Sequence, residues 1–292
     1  MWAQGPCGRF SPAMVTGSAP VSPSLTSFLD DLAAEHEALD ERVAGLAAVQ
    51  WLAPTPAEGW SIADAISHLT YFDASATLAL SDEEGFAEHV RHLLAHPNDG
   101  LDVELGRSVP PEELVARWRT GRATLTERAA VRSGEAASGG ERPSRVPWYG
   151  PAMSLNSFVT ARLMETWAHG QDVADALGLP PIVTPRLRHV IHIGVAARPY
   201  AFRVHDIEDP GDPIRVRTHN PTDESDIWTW GLEDAGNELS GSAISLALVF
   251  TQRRHPDDTD VRASGSTAER FLSVAQAFAG PAGPGRPRRP AS

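Results

Sequence analysis

Glu165 and His169 stand four apart in the stretch SLNSFVTARLMETWAHGQDVADALG. In a helix two such side chains leave one face about one turn apart and can reach a common ion. Phe158, Ala161, Asp172 and Ala176 share that face, so the pair should project toward an interior. An ionised glutamate buried there without a cation or hydrogen bonds costs several kcal/mol, and a divalent ion is one way to offset it. A third donor, His68, lies in IADAISHLTYFDASATLAL, where Ile62, Ile66 and Leu69 mark the buried side. Three protein ligands leave coordination positions open for water or substrate, as catalytic rather than structural sites do. Spacing alone leaves the matter open, because a glutamate and a histidine four apart occur by chance in many helices.

Other residues compete for attention. His89, His92 and His96 have helical spacing and read as a solvated face, while His189 and His192 read as parts of a core helix. Asp172, three residues after His169, reads as an acceptor that orients an imidazole, with direct ligation as the alternative. Trp60, Trp148, Tyr149 and Trp167 flank these segments and read as core, with a pocket wall as the alternative.

Composition narrows the chemistry. The net charge of −13 disfavours a nucleic-acid partner, whose phosphates call for clustered cations. All 25 basic side chains are Arg, a bias expected of a GC-rich bacterial genome, and the absence of Lys excludes a lysine Schiff base. The single cysteine, Cys7, sits in a Gly/Pro/Ser-rich lead-in, so a thiol used in catalysis would come from outside the chain. No apolar run of spanning length and no signal-peptide pattern is present, which leads us to expect a cytoplasmic protein with no membrane partner. Nothing in the composition fixes monomer or homodimer.

The elements that must position these residues follow from periodicity. FLDDLAAEHEALDERVAGL predicts a helix from Ser24 to about Leu46, and Ser61 is a plausible N-cap for a second running to about Leu80. Helical patterns recur at 84–95 and 111–130, the latter opened by Pro110 and Pro111. The helix carrying Glu165 and His169 has Ser154 as its cap and Gly178 as its stop, and 187–203 suggests one further helix. After that the texture changes: IRVRTH, DIWTWGL and ISLALVF read as strands, and 267–278 as a closing helix. The expected organisation is a lead-in at 1–22, a helical bundle at 23–179, a smaller α/β domain at 180–280 and a tail at 281–292. Both ends are too Pro/Gly-rich to repay ordering.

The segments PTPAEGWSIADAISHL, RLMETWAHGQDVADALG, WTWG, LSGSAISLALVFTQRR and AQAFAG resemble the actinobacterial proteins related to mycothiol-dependent maleylpyruvate isomerase. The likeness runs from about Ser24 to Gly285 and is closest to the uncharacterised metal-binding branch of that family. It implies an α+β fold, with a DinB-like four-helix bundle followed by the smaller C-terminal domain. It also implies a ligand set of His68, Glu165 and His169 for one divalent metal ion, zinc first, with iron, nickel or manganese compatible. Arg253 and Arg254 fall where the related isomerases have an arginine facing the site, and Arg254 is expected to meet a substrate carboxylate. The resemblance implies a thiol-dependent isomerase or transferase that uses mycothiol or a similar small thiol on an unsaturated or electrophilic small molecule. A non-catalytic metal-dependent binding protein and an Fe(II)-dependent redox enzyme are the alternatives that the same ligands allow.

Overall fold

Leu29, Leu32, Leu39 and Val43 recur at helical spacing, and the chain forms there the helix α1 (Leu25–Val43), with those four side chains buried. The structure is a computed structural model that describes residues 25–96, 99–137, 145–283 and 285–289. The lead-in at 1–22, with Cys7, lies outside the described residues. A single turn, α2 (Ala48–Trp51), precedes α3 (Ile62–Ser81). Ser61 caps α3 in a reciprocal box: its backbone N–H donates to Asp64 Oδ2 at 2.8 Å, and the Asp64 N–H donates to Ser61 Oγ at 3.2 Å. Then come α4 (Glu83–Ala95), α5 (Glu104–Ser108), α6 (Pro111–Ala137), the short strands β1 (Arg145–Val146) and β2 (Met153–Ser154), and α7 (Leu155–Leu177).

The helices α1, α3, α6 and α7 form the bundle: α1 packs on α7 and α6, and α3 packs on α6 and α7. Ile62, Ile66, Leu69, Trp118 and Val173 close one part of its core, all fully buried. From Phe158 to Ala174, α7 is buried around almost its whole circumference, because α8 (Leu187–Ala196) covers the side that the bundle leaves open. Its ends are those expected: Ser154 Oγ accepts from the Ser157 N–H at 3.2 Å, and Gly178 stops it with φ 67°.

The helix expected over 187–203 is two helices, α8 and α9 (Arg198–Val204). Pro199 is the reason, since it has no N–H to continue α8 and is tolerated only in the first turn of a new helix. Next come β3 (Ile214–Asn220), β4 (Asp223–Trp230), β5 (Asn237–Ser240), α10 (Ala243–Phe250), β6 (Arg262–Ser264) and α11 (Ser266–Val274). The sheet order is β4-β3-β5-β6, with β3 parallel to β5 and the other pairs antiparallel. IRVRTH and DIWTWGL are thus strands, but ISLALVF is the helix α10, capped by Ser242. A short, wholly apolar run carries no period to separate a buried strand from a buried helix, and here Ala243 and Leu246–Phe250 are buried all round. The result is an α+β fold with a helical N-terminal part. Its larger core is continuous from α7 through α8 and α10 to the sheet. No described helix is long and apolar enough to cross a membrane.

Candidate metal centre

The i, i+4 spacing on α7 puts Glu165 Oε2 3.6 Å from His169 Nε2. The middle of α3 brings His68 to the same place, its ring centroid 4.7 Å from that of His169. One ligand atom from each of His68, Glu165 and His169 lies within 4.8 Å of the others. All three side chains are largely withdrawn from solvent, at 17%, 22% and 9% exposure.

Each imidazole has a carboxylate on its Nδ1 side. Asp102 Oδ2 lies 2.8 Å from His68 Nδ1, which leaves Nε2 of that ring for an ion. Asp172 Oδ2 lies 3.4 Å from His169 Nδ1, a charge contact rather than a full hydrogen bond, and Nδ1 is buried with no hydrogen-bond partner. Asp172 thus stands where the sequence placed an orienting acceptor. Asp102 was not foreseen, since it comes from the loop before α5. Three contacts hold it: Ser67 Oγ donates to the Asp102 carbonyl at 2.8 Å, Arg107 Nε donates to Asp64 Oδ1 at 2.7 Å, and α5 lies tight on α3 at Gly106. A Cβ at Gly106 would come within 2.5 Å of the Ala63 carbonyl oxygen, so only glycine permits that approach.

The protonation states suit a cation. Burial lowers the His169 pKa and keeps the ring neutral, with Asp172 opposing and His68 and Arg253 reinforcing the effect. Burial works against the charged form of Glu165, but His169, Arg162, His68 and Arg253 outweigh it and hold the carboxyl below its ordinary range. The hydrogen bond from His68 is the main reason that Asp102 is also held ionised. A neutral His169 ring and an ionised Glu165 are forms that suit a divalent ion, and two imidazoles with one carboxylate are a donor set that fits one.

Aromatic rings wall the centre. Trp60 stacks on His169 with centroids 5.7 Å apart at 13° and lies 5.1 Å from His68, while Phe72 lies 4.5 Å from His68 on another side. Trp60 is held by its turn, where its carbonyl accepts from the Thr55 N–H at 2.7 Å. Of the other aromatic candidates, Trp167 is core and donates to the Ile182 carbonyl at 3.0 Å. Trp148 stacks on Phe86, and Tyr149 packs edge-on to Phe72 behind the site.

The two arginines expected at the site arrive from α10. Gln252, with φ 57°, turns the chain at the end of that helix toward α7. Arg253 Nη2 donates to Asp172 Oδ2 at 2.8 Å, whereas Arg254 forks onto Asp175 with two bonds of 2.6 Å. A further arginine, unforeseen in the stretch 281–292, joins them: Arg286 Nη2 donates to Asp172 Oδ1 at 2.9 Å. The remaining histidines stand elsewhere. His89 Nε2 lies 2.8 Å from the Tyr149 hydroxyl, His92 and His96 are exposed with ring centroids 4.5 Å apart at a tilt of 37°, and His189 Nε2 lies 2.7 Å from Asp31 Oδ2. Among the described residues none of them forms a second three-ligand cluster.

Residues 32–174 match the family model described as the mycothiol maleylpyruvate isomerase N-terminal domain. The chain is 45% identical over 263 residues to an uncharacterized protein found in two strains of Mycobacterium tuberculosis, a match covering 89% of this chain and 98% of that one. It is similar in fold to the crystal structure of the mycothiol-dependent maleylpyruvate isomerase, with a TM-score of 0.53, 14% identity, and 91% of this chain and 98% of that one covered. A histidine-to-alanine mutant of the same enzyme gives a TM-score of 0.54 at 15% identity, with the same coverage. The cluster of His68, Glu165 and His169 on α3 and α7 lies within the span of the matched domain, and the chain belongs to the mycothiol-dependent maleylpyruvate isomerase family.

Proposed function

We propose that this protein is a metal-dependent enzyme that uses an external small thiol, mycothiol or a close analogue, on a small unsaturated acid. The observation that carries the reading is the convergence of His68, Glu165 and His169, with each Nδ1 facing its own carboxylate. A divalent ion bound there, zinc first, would supply the charge that deprotonates a coordinated thiol at neutral pH.

The chain's own residues do the rest. His68 and His169 offer neutral donors, and Glu165 offers the negative one. Asp102 and Asp172 fix the ring orientations, the usual task of groups behind metal-bound histidines. Trp60 and Phe72 exclude water from the faces of both rings and so strengthen the electrostatics inside. Arg253 and Arg254 lie on the C-terminal side of α7, where a guanidinium can hold a substrate carboxylate. Arg253 is the nearer, since its charge acts on both Glu165 and His169. A thiolate held beside such an acid adds to the conjugated double bond and forms a C–S bond as the π pair shifts toward the acceptor. The resulting single bond rotates, the C–S bond breaks, and the thiolate leaves with its electron pair, so nothing is consumed.

Elemental analysis of the purified protein tests the first half, with an expected content of about one divalent ion per chain. Alanine at His68, Glu165 or His169 should strip the ion, while His92→Ala should retain it. Calorimetry of the metal-loaded protein against mycothiol, followed by turnover of unsaturated acids with and without it, tests the second half. Turnover without thiol would replace this reading with metal redox chemistry. Thiol binding without turnover of any acid would leave a binding protein.

A further inference from the structure

Past α11 the chain is pinned at Gly280, whose carbonyl accepts from the Tyr200 hydroxyl at 2.6 Å and whose N–H donates to that hydroxyl at 2.7 Å. Further on, residues 285–289 are tied to the fold at single points. Arg286 donates through Nη1 to the Pro56 carbonyl and through Nη2 to Asp172 Oδ1 at 2.9 Å. The Arg289 N–H donates to Asp258 Oδ2 at 2.8 Å. Gly283, Gly285 and Arg286 border a cavity of about 340 Å³, so this stretch spans a space and does not pack on a filled core.

Arg286 reaches His169 from two directions. Pro56 belongs to the turn that presents Trp60, whose ring stacks on the His169 imidazole. Asp172 is the carboxylate on the Nδ1 side of the same ring. Both of its oxygens are taken by guanidiniums, Oδ2 by Arg253 at 2.8 Å and Oδ1 by Arg286 at 2.9 Å. Held at both ends, the carboxylate cannot turn an oxygen fully onto Nδ1: Oδ2 stops 3.4 Å away, and Nδ1 stays buried with no hydrogen-bond partner. His68 differs, with Asp102 Oδ2 at 2.8 Å from its Nδ1. A carboxylate bonded to Nδ1 makes the other ring nitrogen a stronger donor to a cation, and withholding that bond makes it a weaker one.

We propose that Arg286 is a positioning residue for the metal centre: by pinning Asp172 it withholds a full hydrogen bond from His169 Nδ1, which loosens the hold on an ion and leaves more of the ion's charge for its open position. The inference rests on the reading of the centre as one that activates an external thiol, a task that a more acidic ion performs better. It assigns that setting to a side chain outside the matched domain at 32–174.

The test compares the full chain with Arg286→Ala, using zinc in competition with a chelator of known affinity. Arg286 lies beyond the Gly280 anchor, so the fold does not depend on it. The variant should bind zinc roughly tenfold more tightly, because Asp172 is released to bond His169. A merely structural clamp gives the opposite sign, since freeing the Trp60 turn would weaken the site. Cobalt-loaded samples supply a second readout: the apparent pKa of the ion-bound water, followed in the visible spectrum against pH, should rise in Arg286→Ala. Arg286→Lys should return both quantities toward those of the parent, since an ammonium still holds Asp172. Arg288→Ala, which removes an exposed charge from the same stretch, should change neither. In an Asp172→Asn background Arg286→Ala should lose its effect, because the group through which it acts is gone. Unchanged or weaker zinc binding in Arg286→Ala overturns the inference. So does an equal gain in the Asp172→Asn background, which would reduce Arg286 to a bare charge. A parent chain that takes up no zinc overturns the metal-centre reading and the inference with it, whereas a parent that binds zinc with an affinity indifferent to Arg286 counts against the inference alone.

Discussion

Asp102 Oδ2 lies 2.8 Å from His68 Nδ1, across 34 residues of sequence. The pair fixes which nitrogen of His68 faces Glu165 and His169. Asp102→Asn keeps the shape but removes the charge that favours this tautomer. Metal affinity should fall by roughly 10- to 100-fold, the usual consequence of losing such a group. Competition against a chelator of known affinity measures it, and equal affinity in the two proteins would show that His68 needs no such support.

Gly106 stands behind the same pair. Gly106→Ala places a methyl group against the Ala63 carbonyl and should push α5 off α3, carrying Asp102 with it. We expect a metal-affinity loss like that of Asp102→Asn, together with destabilisation of about 1–3 kcal/mol from overpacking. Denaturant unfolding and the chelator assay together separate the two effects.

Arg253 and Arg254 should behave differently although they are adjacent. Arg253→Ala should weaken an acid substrate by about 1.5–3 kcal/mol, the worth of a charge-assisted hydrogen bond. Arg254→Ala should do less, because the charge that acts on Glu165 and His169 is that of Arg253, while Arg254 is turned onto Asp175. Steady-state kinetics with a carboxylate substrate, at constant metal content, decides between them.

Arg162 and Asp73 form an ion pair almost wholly inside the bundle, at 2.9 Å. Asp73→Ala leaves a buried guanidinium uncompensated and should cost about 3–5 kcal/mol. Replacing both together, Asp73→Leu with Arg162→Met, should cost markedly less, since no charge is then stranded. Unfolding curves of the single and double variants measure the difference.

His36, buried in α1, has its pKa lowered to about 4: burial is the main cause, Asp73 opposes it, and Arg122 and Arg162 add to it. The unfolded chain takes this proton near 6.5 and the folded chain near 4, so the stability at stake is complete above 6.5 and drains away as the pH falls toward 4. A depression of that size corresponds to about 3 kcal/mol. His36→Gln should flatten the acid limb of the stability profile measured by chemical denaturation. An unchanged limb would assign the acid loss to other groups.

Within single helices the sequence was enough. The Ser61 and Ser154 caps, the Gly178 stop and the four-residue step from Glu165 to His169 are relations over a few residues, and backbone geometry turns each into a position without help from the rest of the chain. The grouping of His68 with Glu165 and His169 needed one more fact, that α3 and α7 pack together, and the family resemblance implied it. Local pattern failed where burial was uniform: the all-apolar ISLALVF shows no period, so only its packing among α8, the sheet and α11 made it the helix α10. It failed again at Asp102 and Arg286. Neither has a signature in its own neighbourhood, and they meet His68 and Asp172 across 34 and 114 residues. Those encounters depend on a glycine that lets α5 approach α3 and on a C-terminal stretch that Asp172, Pro56 and Asp258 hold against the fold. A carboxylate or a guanidinium in a loop is unremarkable in sequence, and it gains a role only when tertiary packing removes the water around it and sets another charge at contact distance.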